Sequence, residues 1–432
     1  VTRTVLRGRV LTFVSEPSGA DDHASYRYFE DGAIVVEDGK VLSLGDYDAA
    51  ATGDAEVIDH HPYLIMPGFI DTHLHYVQMQ VIGSYAGALL EWLNTYTFVE
   101  EQRFAQQGHA GAIASAFFDE MVRNGTTTAA AYCSVHEASA DAFFAEAARR
   151  NMLMIGGKVM MDRNAPEALR DTPRSSYEAS KALIGRWHGK GRALYAITPR
   201  FAITSTPEQL EAAQSLVREH PDCYVQTHLS ENDAEIAYSM ELYPQARDYA
   251  GIYEMYGLLG RRTLLGHSIH LSHHEAEVLC HTGSVAVFCP TSNLFLGSGL
   301  FDRERLMRAG VRMGIASDIG GGTSYSMLRT LDEAYKVLQL RKQRLSPLES
   351  FHMATLGNAK ALSLEGTIGQ IAPGAAADLV VLDAAATPAM ALRKQTSSSL
   401  SEELFLLQTL GDDRSVAAVY VAGVEAKAAL AS

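Results

Sequence analysis

The chain has 432 residues, 47% apolar and 20% charged, which is ample material for a sizeable core. Its 36 Lys and Arg against 51 Asp and Glu leave a formal charge of −15 at pH 7, disfavouring nucleic-acid backbones and anionic membranes as partners. No apolar run approaches the roughly 20 residues of a membrane helix, and Cys133, Cys223, Cys280 and Cys289 show no C-x-x-C spacing, so neither a thiolate zinc site nor a disulfide framework is expected.

The opening run VTRTVLRGRVLTFVSE alternates like a strand and lacks a signal peptide's continuous apolar core. A reduced, cytoplasmic setting is expected. The first 65 residues read as short strands separated by turns, and Asp38-Gly39 between alternating apolar segments is a hairpin signal. Strands are then expected at 68–75, 126–133, 152–161, 193–198, 223–229, 263–268, 284–289 and 311–318. Helical stretches lie between most of them, such as HAGAIASAFFDEMVRNG, where Gly125 supplies a stop. Eight strands with helical crossovers predict a (β/α)8 barrel. The end of the chain, GTIGQIAPGAAADLVVLD and SVAAVYVAGVEAKA, resembles its beginning in pattern. The expected architecture is α/β: a TIM-like barrel over residues 67–365 and a small β-sandwich domain formed from residues 1–66 and 366–432.

In a barrel of this kind the active site lies at the C-terminal ends of the strands. Strand one ends in His73 and His75, two positions apart and so on one face. Strand five ends in His228, strand six in His267 and strand eight in Asp318, and Glu231 lies three residues beyond His228. Each histidine alone reads as a structural strand-end residue; their joint placement points to a metal. Imidazoles with a carboxylate suit a borderline divalent ion such as Zn²⁺, with a position left for water. Such an ion lowers the pKa of bound water from 15.7 to about 7. Glu231 is expected beside that water as general acid/base, and Asp318 both binds the ion and orients the hydroxide. The chemistry is metal-assisted hydrolysis.

Other candidates are set aside. His60-His61, His270 and His273-His274 read as loop or helix-start residues and not as ligands. DIGGGTSYS lacks the Lys-Ser/Thr of a phosphate loop, and its glycines are expected to let the backbone pass close to metal or substrate. Lys158 reads as structural. No lysine ends strand four, which disfavours a two-metal site bridged by a modified lysine. A cytidine-deaminase type of zinc enzyme fails, because HHE at 273–275 has no P-C-x-x-C to accompany it.

PGFIDTHLH, HLSEN, GH and SD at these strand ends together resemble the amidohydrolase superfamily, in its one-metal deaminase branch. EWLNTYTFVEEQRF (91–104), TPRFAIT (198–204), CPTSNLFLGSGLF (289–301) and DIGGGTSYSML (318–328) narrow the resemblance to the guanine deaminases, from about Pro67 to about Asp383. The resemblance implies that His73, His75, His228 and Asp318 ligate one Zn²⁺ per chain, with Fe²⁺ or Mn²⁺ as alternative occupants. It implies that His267 assists beside the metal-held water without ligating, and that Glu231 shuttles its proton to the ring and to departing ammonia. Gln78 and Arg200 would hold the purine, with Phe201 and Trp92 lining the pocket. The implied reaction is attack of zinc hydroxide on C2 of guanine, giving xanthine, by a homodimeric enzyme. At the position before Cys289-Pro290, where many wider relatives carry histidine, this chain has Phe288. Competing expectations are a deaminase of 8-oxoguanine, cytosine or an adenosine-type substrate, a chloro-triazine hydrolase, and an inactive scaffold of the same fold.

Overall fold

Period-two apolar patterning at the start of the chain forms four strands in the computed structural model, which describes residues 3–49, 53, 55–85 and 89–430. They are Arg3–Phe13, Tyr26–Glu37, Lys40–Asp46 and Glu56–Pro67. Asp38 and Gly39 make the two-residue hairpin turn, with φ of 49° and 77° as a primed turn requires. The first strand pairs antiparallel with the second and parallel with the fourth. The fourth then pairs antiparallel with Leu379–Leu382, which continues to Val416–Val421 and Val424–Glu425. Both ends of the chain thus build one seven-stranded sheet. Alternation divides its residues between two cores: Leu6, Val10, Ile65, Leu379 and Val381 pack within the sheet's own cluster, while Leu11, Leu64, Met66, Val380 and Leu382 join the main core.

The C-terminal part also contains helices Pro388–Lys394 and Leu400–Leu410, absent from the sequence expectation for 366–432. The second is capped by Ser399, whose side chain accepts from the Glu402 amide, a start signal present in the sequence.

The centre is a barrel of eight parallel strands: Phe69–His75, Thr126–Tyr132, Leu153–Gly157, Ala193–Pro199, Tyr224–Leu229, Thr263–His267, Val285–Phe288 and Arg312–Ile315. Each falls inside or within a residue of its expected span. The third is interrupted at Lys158, after which Val159–Met160 pairs separately with the fourth. The eighth stops at Ile315, three residues short of the expected end, because the chain there leaves its neighbour and turns through Asp318 at φ 51°. Side chains close the seam between strands eight and one. Asn358 Nδ2 donates to the carbonyls of Ile70 (2.6 Å) and Ile315 (2.8 Å), and Thr72 Oγ1 donates to Ile315 O at 3.0 Å. Helix Gln107–Arg123 ends before Gly125, whose φ is 80°. Among the described residues no helix is long and apolar enough to cross a membrane.

Candidate active site

His73 and His75 lie on one buried strand and share its inward face, their ring centroids 5.3 Å apart. His228 comes from strand five, and its Nε2 lies 3.1 Å from that of His75. Asp318 reaches back from the loop after strand eight, with Oδ1 3.3 Å from His73 Nε2 and 3.8 Å from His75 Nε2. The Asp318 amide donates to His73 O at 3.0 Å, which ties the loop to strand one. Four residues from three distant parts of the sequence therefore converge at the C-terminal mouth of the barrel.

The donor set fits a divalent ion. His73 is fully buried, yet neither ring nitrogen has a hydrogen-bond partner, and the same holds for His75 Nδ1. Buried polar atoms left unpaired are costly; a cation among them removes that cost. Two nitrogens on one tetrahedral ion stand roughly 3.3 Å apart, close to the 3.1 Å between His75 and His228. Burial, reinforced by neighbouring imidazoles and Arg200, holds the His75 pKa well below 6.5, and burial also lowers His73 and His228. The rings are thus neutral with lone pairs free, the form that ligates. The Arg200 carbonyl accepts from His228 Nδ1 at 2.7 Å and so leaves Nε2 to face the cluster. Burial alone would raise the Asp318 carboxyl, but the neighbouring His73 and His267 rings and the Ser292 hydroxyl outweigh it and hold it at about 2.

His267 stands at the edge of this group. Its Nδ1 meets Asn293 Oδ1 at 2.9 Å, while Nε2 faces Glu231 Oε2 (3.4 Å) and Asp318 Oδ2 (3.7 Å). Burial opposes its charge, yet the Glu231 and Asp318 carboxylates prevail and its pKa is raised. Glu231 is itself raised by burial, against the pull of His267 and of Ser298, whose hydroxyl donates to Oε1 at 2.9 Å. Glu231 is anchored by its backbone, whose amide donates to Glu235 Oε2 at 2.7 Å in the cap of helix Asp233–Leu242.

A cavity with about 390 Å³ of empty space, part of it open to solvent, opens onto the cluster. His75, His228, His267, Glu231 and Asp318 line it together with Gln78, Trp92, Arg200, Phe201 and Gly321. Every residue expected at the site is therefore there, with His73 directly behind the cavity wall. The Trp92 indole N–H is buried without a partner. Gly320 donates its amide to Gln78 Oε1 at 3.1 Å, so the glycine run does bring backbone against the site.

Residues set aside lie elsewhere. His60 and His61 occupy a strand of the end sheet and not a loop, since their segment alternates into the Glu56–Pro67 pairing; His60 meets Tyr420 OH at 2.8 Å and His61 meets Asp59 at 2.8 Å. His270 sits in a loop against Ser298 O at 2.7 Å, and His273 and His274 open helix His273–Thr282. Lys158 is buried against Asp171 and the Val159 carbonyl. Phe288 stacks on Phe301 at 4.5 Å in the outer core, away from the cavity.

Five neighbours of the site were not singled out from the sequence: Glu101, Tyr132, Cys289, Asn293 and Ser298. Tyr132 packs its ring against His73, His75 and His228 at centroid distances of 4.9, 4.4 and 4.9 Å. Cys289 lies in reach of His73, His267 and Asp318, and burial pushes its thiol well above its ordinary value. Glu101, Cys289, Asn293 and Ser298 fall inside the motif segments quoted above, so a signal existed for their neighbourhood but not for their roles.

Residues 64–426 match the model of the amidohydrolase family. The chain is 47% identical over 426 residues to a guanine deaminase of Escherichia coli, covering 98% of this chain and 97% of that one. A solved structure of E. coli guanine deaminase superposes with a TM-score of 0.94 at 45% identity, covering 99% of both chains. A guanine deaminase of C. acetobutylicum, solved with guanine in its active site, superposes with a TM-score of 0.88 at 28% identity, over 98% of this chain and all of that one. A barrel with these strand-end residues, matched along most of its length, belongs to the amidohydrolase family, in the group of its guanine deaminases.

Proposed function

We propose that this protein hydrolyses guanine to xanthine and ammonia with one divalent metal ion, zinc in the first instance, held by His73, His75, His228 and Asp318. The observation that carries this reading is the meeting, in one cavity, of that cluster and Glu231 with Gln78, Arg200, Trp92 and Phe201. The named activity of the E. coli relative supports it. When bound, the ion supplies the acidity that makes water a nucleophile near neutral pH.

The chain's own residues do the rest. Glu231, raised by burial, accepts the water's first proton and delivers it to N3, where xanthine keeps it, and then carries the second proton from the oxygen on C2 to the departing amine. His267, oriented by Asn293 and with its pKa raised by Glu231 and Asp318, stands beside those carboxylates, where it can face the oxygen that attacks C2 and offset negative charge there. Gln78 and Arg200 supply donors and an acceptor for the polar edge of the base, and Trp92 and Phe201 border its faces. We assign residues 67–365 to this catalytic unit, residues 1–66 and 366–432 to the end-sheet domain, and a homodimer to the assembled form.

The test is to quantify metal per chain and follow ammonia release from guanine, 8-oxoguanine, adenine, cytosine and guanosine. About one ion per chain and a clear preference for guanine are expected. Glu231→Gln should retain the ion while losing about 10³-fold or more in turnover. Release from another base but not from guanine overturns the substrate, and an active Glu231→Gln variant removes that residue from the mechanism.

A further inference from the structure

We infer that Glu101 is a positioning residue that selects which purine edge the cavity accepts, by locking the Gln78 amide in one orientation. The inference rests on the guanine reading of the site. Glu101 is the last residue of helix Phe98–Glu101 and is 0% exposed. One carboxylate oxygen accepts from Gln78 Nε2 at 3.0 Å, and the other accepts from Arg200 Nη1 at 2.6 Å. Gln78 and Arg200 both line the cavity, whereas Glu101 stands behind them. Phe98, one helical turn earlier, lies under the Arg200 guanidinium at 5.3 Å, so a single short segment grips the arginine twice.

The chemistry of the partners decides the orientation of the amide. A carboxylate can only accept and a backbone N–H can only donate. Glu101 therefore takes an N–H of Gln78, while the Gly320 amide takes its carbonyl oxygen at 3.1 Å. Turning the amide over would set N–H against N–H and oxygen against oxygen, leaving buried groups unpaired. What Gln78 retains for a ligand is one N–H and one carbonyl lone pair in a fixed order. Guanine offers the complement on adjacent atoms, an accepting 6-oxo group and a donating N1–H. The base 2,6-diaminopurine has the same ring and the same C2 amine, but its 6-amino group donates and its N1 accepts. A locked amide favours the first; an amide free to turn serves both.

The discriminating experiment compares wild type with Glu101→Gln. The substituted side chain has one acceptor oxygen for two donors: turned to Arg200 it sets an N–H against Gln78, and turned to Gln78 it abandons Arg200, so the lock is lost. Metal content, kcat and KM are measured for guanine and for 2,6-diaminopurine, with the latter's inhibition constant against guanine if it is not turned over. The expected result is unchanged metal, a fall of about tenfold in kcat/KM for guanine carried mainly by KM, and a guanine-over-diaminopurine preference narrowed by about tenfold. An unchanged preference overturns the inference and leaves Glu101 as a counter-charge for Arg200, since a merely structural loss weakens both bases alike. If Glu101→Gln does not fold, Glu101→Asp keeps the charge but withdraws it from Gln78; the same narrowing is expected, and an unaltered preference is again fatal. A wild type that turns over no guanine defeats the functional reading itself, and this outcome is seen before any variant is made.

Discussion

Glu231 shows how one side chain acquires its chemistry from surroundings that its sequence neighbours do not disclose. Burial holds its carboxyl above the ordinary glutamate value of 4.5, although His267 and Ser298 act in the opposite direction. A base must be ionised to take a proton, so activity is lost as pH falls through that raised value. The acid limb of kcat/KM for guanine should therefore lie above pH 4.5; a limb at or below 4.5 would assign it to another group. Glu101 was hidden for the converse reason. In FVEEQRF it reads as one of two adjacent acids on a solvated helix face, and its neighbour Glu100 does pair with Arg103 and His109. Only the approach of Arg200, 99 residues away, distinguishes the two.

Among the elements, the barrel strands were legible because their cue is local: short β-rich runs bounded by turn signals and spaced by helical stretches. Their ends were less so. Strand eight stops at Ile315 because its partner's hydrogen bonds run out, and no residue in VRMGIASD marks that point. Strand six carries a constraint that the sequence shows only as a glycine. A Cβ on Gly266 would stand 2.6 Å from His73 Cε1, so the backbone of strand six forms the wall against which that ring rests. Gly266→Ala should displace His73 and reduce metal affinity by about tenfold or more, measured as ions retained per chain on dialysis against graded chelator. Full retention would show that the ring is not held by that wall.

For the molecule as a whole, the two ends of the chain are joined by a charged clasp as well as by the sheet. Arg9 grips Glu403 with two hydrogen bonds of 2.8 and 2.6 Å, and Lys394 pairs with the same carboxylate. Burial would raise Glu403, but Arg9 and Lys394 outweigh it and hold its pKa below 4.5. The folded state then binds fewer protons than the unfolded one in that range, so the clasp's contribution is complete above pH 4.5 and fades as pH falls towards the folded value. Glu403→Gln should cost about 2 kcal/mol at pH 7 in urea denaturation, and the gap to wild type should close below pH 4.5. A gap that is constant with pH would place the loss in packing. Sequence alone determined the α/β barrel, the end sheet and the metal-type residues at the strand ends, because strand and helix patterns repeat within a few residues and barrel topology brings strand ends together. Tertiary structure decided the rest: helix Leu400–Leu410 against the barrel, the thiol of Cys289 pushed up by burial, and Glu101, Asn293 and Ser298 turned onto site residues. Burial and pairing between residues far apart in the chain exist only once the core has closed, and they set the charge and direction of each group.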